Sequence, residues 1–93
     1  MSDFYVYSFY RFKHVKNKKT IKSKLEQFIS NKVIRGTILI ANEGVNGSIS
    51  GGKDDLLNTI RFIKKLLCIK KIELKSNLVD FLPFNKMKIK LKR

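Results

Sequence analysis

The period of the hydrophobic positions changes several times along the chain, and each change marks an element. Phe4 to Phe12, Phe-Tyr-Val-Tyr-Ser-Phe-Tyr-Arg-Phe, is nearly continuous aromatic and β-branched sequence, which suits a central strand with neighbours on both sides. Phe4, Val6 and Ser8 share one face and Tyr5, Tyr7 and Phe9 the other; periodicity leaves open which set meets the core. His14 to Lys19 reads as a basic loop. Ile21, Leu25, Phe28 and Ile29 then recur at helical spacing behind Thr20, a suitable N-cap, and predict a helix over about Thr20 to Lys32.

The next stretch, Arg35 to Gly52, organises the rest. Thr37 to Ala41 is β-rich, the run breaks at Asn42 to Asn46, where Gly44 and Asn46 can take positive φ, and it resumes as Gly47 to Ser50; that is a β-hairpin. Its Ile38, Ile40 and Ile49 must be buried on at least one face, and amphipathic segments lie on either side to cover them. Leu56, Leu57, Ile60, Ile63, Leu66 and Leu67 predict a second helix over about Lys53 to Leu67, with Asp54 and Asp55 in the first turn, where the helix dipole favours anions. Ile72 and Leu74 alternate with Lys71, Glu73 and Lys75, predicting a strand over about Lys70 to Ser76. Phe81, Leu82, Pro83 and Phe84 should pack against the edge of the domain, because Pro83 cannot donate to a ladder. From Lys86 to Lys92 lysines alternate with Met87, Ile89 and Leu91, so the last strand is half-buried with one lysine face.

The resulting order is βαββαβ with a final strand. It predicts an α+β, ferredoxin-like (acylphosphatase-like) sandwich in which two helices cover one face of an antiparallel sheet and leave the other open. Ninety-three residues at 43% hydrophobic composition suit one domain, 1–93, with one core. No apolar run approaches the length of a membrane span and no leader is evident, so the expectation is a cytoplasmic protein without a membrane partner.

Charge adds the first functional indication. The formal net charge is +14, from 21 Lys and Arg against 7 Asp and Glu, which makes a polyanion, nucleic acid above all, the expected partner. Codon bias toward Lys in an AT-rich genome is the alternative, but such a genome reaches Glu as readily. The strongest phosphate-contact candidates are Lys86, Lys88, Lys90 and Lys92 with Arg93, because alternation sets the four ammonium groups on one surface; edge protection against strand pairing explains the same lysines equally well. Tyr5, Tyr7 and Phe9 are candidates for base stacking. Core or interface packing is the better account of them, because the hairpin's second arm lacks the aromatic run of a stacking platform.

No residue set points to catalysis, a cofactor or a metal. His14 has no companion ligand or base at useful spacing. Cys68 follows an apolar helix face and reads as a buried, inert thiol. Gly51-Gly52-Lys53 precedes a helix, but Asp54 and Asp55 would repel a phosphate there and the phosphate-loop spacing is absent. Arg11 and Asn46 are the only loose counterparts of the Arg and Asn with which acylphosphatases hold an acyl phosphate, and the glycine-rich loop of those enzymes is missing.

The run from Gly36 to Gly51, Gly-Thr-Ile-Leu-Ile-Ala-Asn-Glu-Gly-Val-Asn-Gly-Ser-Ile-Ser-Gly, followed by Pro-Phe-Asn-Lys-Met-Lys-Ile-Lys-Leu-Lys from Pro83 to Lys92, resembles the N-terminal domain of the bacterial rhodanese-related tRNA uridine hydroxylases. Phe9 to Phe12, Phe-Tyr-Arg-Phe, fits as well, and the resemblance covers essentially the whole chain. It implies oxygen-dependent 5-hydroxylation of the wobble uridine, with tRNA as a partner. It also implies a C-terminal rhodanese-like domain that carries the family's reactive cysteine; Cys68, in Leu-Leu-Cys-Ile-Lys-Lys, is not that residue. The chain is thus expected to be catalytically inert alone, the tRNA-binding or domain-docking part of such an enzyme whose open sheet face the missing domain would cover, either as a domain cut from a longer protein or as the product of a gene that lost its second half. The rival expectations are a stand-alone basic RNA-binding module and an acylphosphatase-like enzyme.

Overall fold

A computed structural model describes residues 4–80 and 83–92. Its elements are β1 (Phe4–Phe12), α1 (Lys18–Ile29), β2 (Ile34–Ala41), β3 (Gly44–Gly51), α2 (Lys53–Leu67), β4 (Glu73–Val79) and β5 (Met87–Leu91). The five strands form one sheet in the order β4-β1-β3-β2-β5. Every pairing is antiparallel except the last, in which β5 runs parallel to β2. The sheet is therefore mixed rather than antiparallel: after β4 the chain crosses to the opposite edge and arrives in the direction of β2. The fold is ferredoxin-like α+β.

Residues opposite one another in neighbouring strands share a face, so the register settles which side of β1 is inward. Tyr7 (4% exposed) and Phe9 (3%) lie in the core with Ile38, Ile40, Val45 and Ile49 from the hairpin, Ile21, Leu25 and Ile29 from α1, and Leu56, Ile60, Ile63 and Leu67 from α2. One face of the sheet thus carries both helices. Tyr5 packs against the same cluster, so all three proposed stacking rings belong to the core. The helices meet at Phe28 and Phe62, whose rings stack 4.2 Å apart, and Lys32 Nζ sits 4.1 Å from the Phe28 centroid. Full burial of a side chain such as Leu25 or Ile38 contributes about 1.5–3 kcal/mol each.

α2 has the expected bounds, but α1 does not. It starts at Lys18 behind Asn17 and ends at Ile29, earlier at both ends than Thr20 to Lys32. The cause lies in the preceding loop, where Val15 is buried and its amide donates to the Asn42 carbonyl (2.9 Å), so the chain is already placed to turn into the helix at Asn17. The hairpin is tighter than predicted: Ala41 pairs with Gly44, leaving only Asn42 and Glu43 in the turn. Gly44 takes the positive φ (149°) and Asn46 does not. Two-residue hairpin turns favour positive φ at their central positions. Here neither central residue has it, and their carbonyls are held instead by the amides of Val15 and Lys13, the latter 3.0 Å from Glu43 O.

β4 begins at Glu73, three positions later than expected, because Ile69 and Ile72 pack against the core as part of the connection. Cys68 supplies the left-handed cap of α2 at φ 54° and is exposed; it is not the buried thiol its apolar neighbours suggest, since a C-cap leaves the helix face it follows. Pro83 is exposed and Phe84 half-buried, while Phe81 and Leu82 lie outside the described residues.

Candidate nucleic-acid interface

The face of the sheet without helices is built from the alternate residues of all five strands. Register arranges them in rows across the sheet. One row runs Asn77, Val6, Ser50, Arg35; the next Lys75, Ser8, Ser48, Thr37, Lys88; the next Glu73, Tyr10, Asn46, Leu39, Lys90. Phe12, Gly44 and Ala41 follow at the turn end. The middle of this face is small and polar. Ser8 and Ser48 share a hydrogen bond of 3.0 Å between their hydroxyls, and the Ser50 hydroxyl donates to the Arg35 carbonyl at 3.4 Å. A shallow depression of about 560 Å³ lies over Ser8, Tyr10, Thr37, Leu39, Asn46 and Ser48.

The lysines of β5 and of the residues that flank it border this face. Lys86, Lys88 and Lys90 are exposed and line a further hollow of about 360 Å³ with Thr37, Phe84 and Asn85. Among the described residues none of the three enters an ion pair. Lys92 differs from them: its Nζ lies 3.3 Å from Glu43 Oε2, and its amide donates to the Ile40 carbonyl (2.8 Å), tying the strand end to the hairpin. A backbone hydrogen bond of Glu43 and the Lys92 ammonium together hold the Glu43 carboxyl below its ordinary value. The candidate set therefore divides into three free cations and one partly neutralised one, while Arg93 lies outside the described residues. The structure adds Arg35 and Lys75, on the same open face, which alternation within a single strand could not bring together with β5; only the register does so.

The other candidates are not assembled into sites. Arg11 pairs with Val45 and Asn46 with Tyr10, so the two residues compared with an acylphosphatase site leave β1 and β3 on opposite faces. Arg11 instead reaches Glu73 at 3.4 Å, around the start of β4, and its Nε is buried without a hydrogen-bond partner. His14 is exposed in the loop, and no group of three potential metal ligands occurs among the described residues. No helix among them is long and apolar enough to cross a membrane.

Residues 4–93 match the family model of the UPF0176 acylphosphatase-like domain. The chain belongs to this family. Among curated relatives of the UPF0176 domain, the tRNA uridine(34) hydroxylase of Pelagibacter ubique is 46% identical over 91 residues, which is 97% of this chain and 30% of that protein. The enzymes of the same name from Wolbachia pipientis (33% identical, 97% of this chain, 33% of that protein) and Rickettsia rickettsii (38%, 95%, 36%) align similarly. The chain spans about a third of the length of these relatives. Solved structures of like fold include full-length HypF in its phosphate- and nucleotide-bound form (TM-score 0.67, 17% identity, 98% of this chain, 12% of that one). An acylphosphatase from Coxiella burnetii shares the fold at a TM-score of 0.57 and 8% identity, over 97% of this chain and 93% of that one.

Proposed function

We propose that residues 1–93 are one folding unit that holds tRNA for an oxygen-dependent wobble-uridine 5-hydroxylase, a cytoplasmic protein whose reactive cysteine lies in a rhodanese-like domain beyond this sequence. The observation that carries this reading is the row of exposed cations Lys86, Lys88 and Lys90 along the border of the open face, without ion-pair partners among the described residues. Edge protection would set the same cations on the same face, because Met87, Ile89 and Leu91 take the inward side, so salt-dependent binding is what separates the two roles. On the open face, with Arg35 on the neighbouring strand β2 and Lys75 on the opposite edge of the sheet, these lysines meet a ligand lying across it. The name borne by the relatives supplies the ligand class, and phosphates are what such a cation row contacts.

Lys92 extends the same surface in this reading and contributes less because Glu43 shares its charge, and Arg93 stays in the proposed set on the sequence alone. The test is tRNA binding by the chain over a range of salt concentrations. Log affinity is expected to fall steeply with log salt, and Lys86→Gln, Lys88→Gln and Lys90→Gln together should flatten the slope by about 0.7 to 0.9 for each phosphate no longer neutralised. An unchanged slope leaves these lysines as edge protection and removes the basis of the proposal. The acylphosphatase reading has the fold in its favour but not the site, and benzoyl phosphate should not be hydrolysed by this chain.

A further inference from the structure

We propose that the turn end of the open face is a stacking site for an unpaired base of single-stranded RNA, with Tyr10 and Phe12 as its aromatic wall and Asn46 as its polar partner. Tyr10 is 51% exposed and Phe12 77%, although aromatic rings of a strand that supplies Tyr7 and Phe9 to the core have no need to face water. The two rings stand edge-to-face, with centroids 6.0 Å apart. Beside them the sheet is almost bare, because the residue opposite Phe12 is Gly44 and the next across is Ala41. The result is an open hollow of about 400 Å³ lined by Tyr10 and Phe12, by Leu39, Ala41 and Gly44 of the hairpin, and by Glu43 and Lys92.

Each part of this hollow has a chemical counterpart in a nucleotide. A ring and an apolar lining accept a base face, which every base presents regardless of sequence. Asn46 is exposed and also lines the hollow; its side chain makes no hydrogen bond among the described residues, so a carbonyl and an amide are free for a base edge. Lys90 shares the row of Tyr10, Asn46 and Leu39. It stands three strand spacings from Tyr10, about 14 Å, which a lysine side chain and a nucleotide span together. A duplex keeps its bases stacked inside and cannot use such a wall. The charge of +14 favours RNA over an apolar protein segment as the occupant.

This inference rests on the RNA-binding reading, and its test separates the two. Tyr10→Leu and Phe12→Leu remove the ring faces while keeping apolar bulk on the strand. Binding of a single-stranded oligouridylate should weaken about tenfold for each substitution, with the salt slope unchanged and binding of a blunt RNA duplex unaltered. The lysine substitutions should instead flatten the slope for both ligands. If Tyr10→Leu and Phe12→Leu bind the single strand like the parent chain, or weaken duplex and single strand alike, the stacking site is wrong, whichever way the lysines behave. Should the slope fail to respond to the lysines while the ring substitutions still discriminate single strand from duplex, stacking stands and the phosphate row falls.

Discussion

Gly44 shows how narrowly single residues are constrained at the hairpin. A Cβ built there would lie 2.1 Å from the Arg11 carbonyl oxygen and 3.0 Å from Phe12 Cα, at a φ of 149°. Both neighbours are backbone of a paired strand and cannot move aside, so Gly44→Ala should destabilise the fold by about 2 to 4 kcal/mol. Chemical denaturation measures it. At the adjacent turn residue the effect is electrostatic. The Glu43 carboxyl is held below its ordinary value, first by a backbone hydrogen bond and then by Lys92. A depressed acid contributes stability above its unfolded value and loses it as the pH falls. Glu43→Gln should therefore melt at a lower temperature than the parent at neutral pH, and the gap should close as the pH drops below about 4.5. Leu25 tests the core itself: it is 0% exposed, and Leu25→Ala should cost about 2 to 5 kcal/mol.

Among the elements, α1 is the one whose local chemistry opposes it. No acidic residue stands in its first turn, Lys18 and Lys19 do, and Asn17 makes no side-chain cap. Lys18 has a use, since its Nζ donates to the Lys92 carbonyl at 2.8 Å. Lys19 is exposed and enters no ion pair among the described residues, so Lys19→Glu should stabilise the chain by about 0.3 to 1 kcal/mol through the helix dipole, read as a rise in Tm of a few degrees. The elements also show what a one-dimensional pattern carries. β1 and α2 are legible to the residue because their apolar runs are bounded by abrupt polar ends. The start of α1 is not, because Val15 is drawn inward by a bond to Asn42, a partner remote in sequence. The start of β4 is hidden for the same kind of reason, Ile72 serving the connection instead of the strand. The lysine face of β5 is evident from alternation. Its parallel pairing, and its company of Arg35, Lys75, Tyr10 and Phe12, depend on register between strands and leave no trace in spacing along one of them.

At the scale of the whole molecule, the order of strands in the sheet bears on how the chain is made. β1 pairs with β3 and β4 and with no strand nearer in the chain. A ribosome therefore delivers Phe4 to Phe12, the most aromatic segment of the protein, well before either strand that will flank it. β2 and β3, joined by two residues, can close by themselves as soon as Gly51 has emerged, and only then does β1 gain an edge to join. Until that moment an unpaired, apolar, strand-forming segment is exposed on the nascent chain, the condition under which chains associate with one another. The basic residues that follow it, from Lys13 through Lys24, lend the emerging chain mutual repulsion during that interval. Translation at high salt, which screens such repulsion, should raise the aggregated fraction of newly made chains. The same salt added after Gly51 has left the ribosome should have far less effect, because the hairpin then competes for β1.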